Sequence, residues 1–233
     1  MSSIQKLEKP LRLPVGPIIS SKRYMTLEDT RFLLLGMVMA EEKMDGKSAE
    51  FENKNYKIFT EDLKIKHSIK YKVPARYMIY DIFDKQRGML LGIEGKIEIY
   101  KDIKNCLGFF KDNIIAYNGQ KNISSASFFL ANIMERGKFS LKELPELITY
   151  TPYGEEENTL MEGIVVKDIR DAFPQELRSG KIVRYEFTEG IEIHHMRKKI
   201  ECNQINPKVK EIHFVESRID IPREIRYSIT TEN

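Results

Sequence analysis

Strand-like and helix-like segments follow one another along this chain without the regular βαβ alternation that builds a parallel sheet, which points to an α+β fold. TLEDTRF at 26–32 opens with a T-x-x-D capping pattern and predicts a short helix. Residues 34–44 read as a buried strand with Gly36 close to its start. SAEFE (48–52) and YKIFT (56–60) predict two strands joined by a turn at Asn53–Asn55. ARYMIYDIFD (75–84) predicts a further strand, rich in aromatic and β-branched residues. Helical patterns follow at about 94–106, 124–136 and 140–148. MEGIVVKDI (161–169) and GKIVRYEF (180–187) return to strand character, 187–200 reads as a helix, and the tail beyond it is ambiguous. No repeat or low-complexity linker interrupts the chain, so one folded unit is expected.

Composition narrows the class. Hydrophobic residues make up 41% and charged residues 31% of 233, a globular profile rather than a disordered one. The apolar run FLLLGMVMA at 32–40 falls far short of the roughly 20 residues a membrane helix needs, so no membrane partner is expected. The start, MSSIQKLEKP, lacks the apolar core of a secretory signal. Cys106 and Cys202 make neither a disulfide framework nor a metal cluster, and a reduced, cytoplasmic protein is the expectation. His67, His194 and His195 have no H-x-x-x-H or cysteine partner and do not predict zinc. Phe128 and Phe129 fall in an apolar helical run and read as core.

The net charge of +3 is only mildly basic, but its distribution is uneven. LKIKHSIKYKVPAR (63–76) contains no acid. Lys64, Lys66, Lys70 and Lys72 share one parity, while Ile65, His67, Ile69, Tyr71 and Val73 take the other. In an extended segment this gives one cationic and one packed face. Such a face suits RNA phosphates, and equally an edge strand guarded by lysines.

Lys43 carries the sharpest chemistry. A lysine attacks phosphorus only when burial or neighbouring positive charge lowers its pKa. Lys43 ends an apolar strand and is followed by Asp45 and Gly46, where glycine permits a tight turn that presents the lysine at the strand mouth. Alone, K-M-D-G is as compatible with a surface turn.

Taken in order, EEKMDG (41–46), IYDIFD (79–84), MEGIVVK (161–167) and GKIVR (180–184) resemble the motifs of the covalent nucleotidyltransferase superfamily of DNA ligases, RNA ligases and mRNA capping enzymes. The run FTEDLKIKHSIKYKVPARYMIYDIFD, followed much later by RSGKIVRYEF, is similar to a group of short RNA ligases, and the resemblance spans roughly residues 25–190. It implies an ATP-grasp-like nucleotidyltransferase domain of antiparallel sheets flanked by helices over residues 1–190. A short, helical extension would occupy 191–233. About 50 residues follow Arg184, short for the OB domain of DNA ligases and capping enzymes, which favours a small RNA ligase.

The resemblance also implies roles. Lys43 forms a lysyl–AMP from ATP, and the AMP is passed to an RNA 5′-phosphate that a 3′-hydroxyl then attacks. Glu41 or Glu42 accepts from the adenine amino group, only one of them because adjacent strand residues face opposite ways. Asp45 and Gly46 complete the lysine motif, Glu61 binds a ribose hydroxyl, and Tyr80 stacks on the base. A solvated acid at 61 and a core tyrosine at 80 are the structural alternatives. Glu162 holds Mg²⁺ or Mn²⁺, and Lys167 and Lys181 neutralise phosphates. Two positions depart from the family pattern: Ser48 stands where arginine or asparagine is common, and Arg184 follows Lys181 by three residues instead of two. Arg184 binds RNA phosphate or pairs structurally. An end-healing kinase or phosphatase is a candidate partner. The rival functions are a GTP-using guanylyltransferase and a non-catalytic nucleotide- or RNA-binding domain.

Overall fold

The computed structural model describes residues 7, 9–16, 22–66, 69–105, 127–176, 179–189 and 201–212. In chain order the elements are β1 (Leu11–Arg12), α1 (Leu27–Leu35), β2 (Val38–Lys43), β3 (Lys47–Glu52), β4 (Tyr56–Asp62), β5 (Lys72–Val73) and β6 (Tyr77–Asp84). There follow β7 (Met89–Leu90), α2 (Ile93–Asn105), β8 (Phe128–Leu130), β9 (Ile133–Gly137), a 3₁₀ turn (Leu144–Leu147), β10 (Gly163–Asp168), β11 (Ser179–Val183), α3 (Tyr185–Glu189) and β12 (Gln204–Ile205). One sheet runs β1-β11-β10-β2-β9; a second runs β3-β4-β6-β7, with β8 also paired to β6; β12 pairs with β5. The fold is α+β. The sheets are mixed rather than purely antiparallel: β1 joins β11, β8 joins β6 and β12 joins β5 in parallel.

Local chemistry explains several elements. The Thr26 hydroxyl oxygen accepts from the Asp29 backbone N–H at 3.0 Å and the hydroxyl donates to the Asp29 carboxylate at 2.7 Å, which caps α1. The turn between β3 and β4 is closed by Asn53, whose Oδ1 accepts from the N–H groups of Asn55 and Tyr56. In the first sheet, Val38, Ala40, Ile164, Val166 and Ile182 share one face and pack with Leu13, Leu33, Leu144 and Leu147. Each buried Val, Leu or Ile of this group contributes roughly 1.5–3 kcal/mol by leaving water. Strand alternation places Lys43, Glu41, Gly163, Val165, Lys167 and Lys181 on the other face.

Several sequence expectations are corrected. The helix expected at 124–136 is two strands from Phe128 onward (124–126 lie outside the described residues). Phe129 is buried as expected, but as a strand residue. Short apolar runs are ambiguous between helix and strand, and here sheet pairing decides. Ala131 N donates to Ile79 O in the second sheet while Asn132 O accepts from Glu42 N in the first, so this segment steps from one sheet to the other. The helix expected at 140–148 is only a single 3₁₀ turn, because Pro145 has no N–H for a continuing α-helix. The strand expected over 180–187 ends at Val183 and becomes α3, and of the helix expected at 187–200 the part from 190 lies outside the described residues. The described part of the tail, 201–212, is not helical: β12 and a bridge from Cys202 to Ile65 tie it to the 63–73 segment. Asn203 secures it, accepting from Tyr71 N and donating to Leu63 O. His67, His194, His195 and Cys106 lie outside the described residues.

A buried group of charges joins the two sheets and α2. Lys167 of β10 reaches Glu41 of β2 at 2.8 Å and Asp81 of β6 at 3.1 Å. Lys96 of α2 also pairs with Glu41. Both ammonium groups donate to the Tyr80 carbonyl, at 3.0 Å from Lys96 and 2.9 Å from Lys167. Two carboxylates and two ammonium groups balance, which is the condition for burying charge without a large penalty. Burial works against the Glu41 carboxylate, but Lys167 and Lys96 together hold its pKa below the ordinary value. Removing one member strands an opposite charge. Lys96→Met is expected to cost roughly 3–5 kcal/mol of unfolding free energy, and Lys96→Met with Glu41→Gln clearly less than the sum of the two single changes. Urea denaturation of the three variants checks this; strict additivity would dissolve the group into independent pairs.

Candidate active site

The candidate cleft lies where the Lys43 face of the first sheet meets β4 and β6 of the second, linked there by the Lys167–Asp81 pair and the attraction of Lys43 for Glu61. In otherwise buried stretches of β10 and β6, Val165 and Tyr80 stay partly exposed. Lys43, at the end of β2, stands beside Gly163 in register. A Cβ on Gly163 would lie 2.0 Å from the Ile182 carbonyl oxygen, so only glycine lets β11 approach β10 here. The approach also leaves the floor beside Lys43 without a side chain. Gly46 likewise serves close packing, with a Cβ there 3.0 Å from the Asp62 carbonyl oxygen. Its φ is not positive, so close packing and not a left-handed conformation is what this glycine serves.

Lys43 Nζ donates to Glu162 Oε1 at 2.5 Å, joining residues 119 positions apart. Glu162 Oε2 is buried and has no hydrogen-bond partner among the described residues. Burial raises the Glu162 pKa even with the Lys43 ammonium beside it, and Asp45 adds repulsion. From the second sheet, Glu61 and Ser48 are direct cross-strand partners, and Ser48 Oγ donates to Glu61 Oε1 at 3.5 Å. Burial pushes Glu61 up to about 7, against the attraction of Lys43 and Lys9. Tyr80 has its hydroxyl pKa raised, first by burial and then by Glu61, with a hydrogen bond from Ser48 opposing. Ser48, the departure from the family pattern, therefore still sits among Glu61 and Tyr80. Lys181 shares the cleft face, and burial pulls its pKa down to about 8, helped by Lys43, Arg12 and Lys9.

Of the paired glutamates, Glu41 lies on the Lys43 face, with Lys167 linking it to Tyr80. Glu42 points to the opposite side. Its Oε2 accepts from Asn132 Nδ2 at 3.4 Å, while its Oε1 and Asn132 Oδ1 have no hydrogen-bond partner among the described residues. Burial pushes Glu42 up to about 7 against hydrogen bonds from Thr151 and Asn132. Lys167 is committed to Glu41 and Asp81 beneath the Tyr80 ring, 5.5 Å from its centroid. Arg184 donates from Nε to the Met161 carbonyl at 2.7 Å and stacks on Phe187, so it holds the segment that carries Glu162.

The basic stripe is less free than its parity suggests. Lys66 pairs with Glu201 at 2.9 Å and Lys70 with Glu155 at 2.7 Å, while Lys64 and Lys72 are exposed. Only Lys72–Val73 of this stretch is a strand, although Leu63, Ile69, Tyr71 and Val73 are buried as the packed parity requires. Ile65 breaks that pattern and is exposed.

Residues that the sequence reading passed over complete the site. Asn132 carries no local motif, and Asp81 lies inside IYDIFD without a role assigned to it there. Lys96 did leave a signal: it lies three residues after Ile93 and four before Tyr100, on the buried stripe of α2. Among the described residues, no group of three or more His, Cys, Asp or Glu side chains is arranged to hold a metal ion, and no helix is long and apolar enough to cross a membrane. Comparison with protein-family models, with curated proteins and with solved structures gave no match.

Glu42 generates a pH prediction. Its folded pKa of about 7 lies above the unfolded carboxyl value, so the folded chain holds a proton that the unfolded chain releases. Stability should then fall as pH rises from about 4.5 to about 7, by roughly 3 kcal/mol from this group. Glu42→Gln keeps the shape and cannot ionise, and its amide can donate to Asn132 Oδ1. The variant should lose that share of the pH dependence in urea titrations at pH 5 and pH 8. Parallel wild-type and variant profiles would refute the assignment.

Proposed function

We propose that the protein is an ATP-dependent RNA ligase that joins 5′-phosphate and 3′-hydroxyl ends, with Lys43 as the nucleophile. The observation that carries this reading is the Lys43–Glu162 pair at 2.5 Å, at the end of a cleft that also holds Glu61, Ser48, Tyr80 and Lys181. The base enters between Val165 and Tyr80, the partly exposed residues of β10 and β6. Glu61 and Ser48 face the ribose. Lys43 Nζ attacks the α-phosphorus: the N–P bond forms as the P–O bond to pyrophosphate breaks, and pyrophosphate leaves with the electron pair. The proton on Nζ has an acceptor in Glu162 Oε1, 2.5 Å away. Lys181 neutralises phosphate charge as it moves to the leaving group.

Glu162 Oε2, buried and without a partner, fits one ligand of Mg²⁺ or Mn²⁺, ions that take few protein carboxylates and fill their shells with phosphate oxygens and water. Such an ion supplies charge neutralisation on the phosphates when bound. The RNA 5′-phosphate then receives AMP, and the 3′-hydroxyl displaces it; both steps need positioning more than new covalent chemistry. Exposed Lys64 and Lys72 are the stripe residues suited to RNA phosphates.

Intact-mass measurement after incubation with ATP and Mg²⁺ tests the reading. Wild type should gain one AMP, Lys43→Ala should gain none, and Glu162→Gln should adenylylate about 100-fold more slowly. A GMP adduct without an AMP adduct would mean guanylyltransferase, and no adduct at all would mean a binding module. Reversing the charge of Lys64 and Lys72 should weaken RNA sealing about tenfold while leaving adenylylation nearly intact; equal loss in both would remove RNA from the stripe.

A further inference from the structure

The N-terminal arm touches both sheets. Leu7 packs, as Tyr80 does, against the Phe59, Phe83 and Leu90 cluster of the second sheet. Five residues later, Arg12 lies in β1, paired in parallel with β11 of the first sheet. Its direct partner in register is Lys181, and Leu13 N donates to Lys181 O at 2.9 Å. Parallel neighbours in register project to the same face, so Arg12 and Lys181 put two cations side by side on the cleft face. Lys9 lies between Leu7 and Arg12, on the span from one sheet to the other. Its charge is felt by Glu61 of the second sheet and by Lys181 of the first. The Lys181 side chain is only partly exposed and makes no ion pair or hydrogen bond among the described residues.

An anion that bridges Lys181 and Arg12 would offset the cost of holding two cations side by side on a half-buried face. We propose that Lys9 and Arg12 of the N-terminal arm, with Lys181, form the binding site for the β- and γ-phosphates of the nucleotide and hence for the pyrophosphate that leaves. This rests on the nucleotidyl-transfer reading of Lys43. Lys43 and Gly163 form one row across the sheet, and Val165, Lys181 and Arg12 form the next. A nucleotide with its base at Val165 and Tyr80 and its α-phosphate at Lys43 extends its remaining phosphates toward Lys181, Arg12 and Lys9. As the P–O bond breaks, the negative charge that collects on pyrophosphate meets three fixed cations. Neither arm residue belongs to the lysine, E-G or basic motifs, and in sequence both stand well before Lys43.

The test uses the full chain and three measurements: calorimetric binding of inorganic tripolyphosphate, the ATP dependence of lysyl-AMP formation, and sealing of RNA already adenylylated at its 5′ end. Arg12→Gln should weaken tripolyphosphate binding and raise KM for ATP by about tenfold or more, Lys9→Gln by several-fold, and Arg12→Lys should recover part of the loss. Sealing of pre-adenylylated RNA, which needs no pyrophosphate site, should stay within about twofold of wild type. Lys9 is exposed, so Lys9→Gln keeps the test alive should Arg12→Gln disturb β1. Tripolyphosphate affinity unchanged in both variants overturns the proposal. So does a loss confined to sealing of pre-adenylylated RNA, which would assign the arm to the RNA. If wild type forms no nucleotide adduct yet binds tripolyphosphate in an Arg12-dependent way, the phosphate site stands and the ligase reading falls.

Discussion

Everything around the cleft depends on the balanced burial of Glu41, Asp81, Lys96 and Lys167. The four side chains come from β2, β6, α2 and β10, so one electrostatic unit ties both sheets and a helix at a single point. Its geometry fixes more than stability. Both ammonium groups hold the Tyr80 carbonyl, which locks the backbone that presents the Tyr80 ring. Glu41 lies two residues before Lys43 on the same strand face, so the anchor of the sheet and its candidate nucleophile cannot move independently. An apolar core could seal the same space, but only directional bonds set the position of a single carbonyl.

The shifted groups in the cleft share a cause. Glu61 and Glu162 have their pKa values raised, Lys181 has its value lowered, and burial is the largest contribution in each case. Each is a buried or half-buried charge whose neighbours do not fully compensate it. On the proposed reading, a bound polyphosphate and a divalent cation would supply opposite charges that favour the ionised forms of Lys181 and Glu162, so the protein would carry part of the electrostatic cost of that complex in advance.

Much of this was legible in the sequence, and the failures have physical reasons. Alternation and turn chemistry located β2, β3, β4, β6 and β10, and the Thr26 cap located α1, because these depend on neighbours within a few residues. The segment 127–137 was misread as helix because its apolar run suits either structure, and only pairing with β6 and β2 selects strands. Lys43, Glu162, Ser48, Glu61, Tyr80 and Lys181 carried local motifs, and the structure brings them to one cleft. Lys167 was read as facing phosphate and is instead bound beneath Tyr80, since no local pattern reveals Asp81 or Lys96 as its company. Lys9 and Arg12 left no trace either: their meaning comes only from the parallel pairing of β1 with β11. Lys66 and Lys70 likewise look like free stripe lysines until Glu201 and Glu155 fold back onto them.

The separation of 119 positions between Lys43 and Glu162 has a kinetic consequence. Local hairpins such as β3–β4 can form early, but the strand that seats Glu162 pairs with β2 only after a long loop has closed. During synthesis β2 would leave the ribosome with Glu41, Glu42 and Lys43 all lacking partners, waiting for β10 and β11 to arrive. Until then the first sheet has neither its centre nor its balanced charges. A chain stopped before β10 would therefore be short of its candidate nucleophile's partner and also of the strand that holds its halves together, so an inactive fragment should be an unstable one, readily cleared by proteolysis.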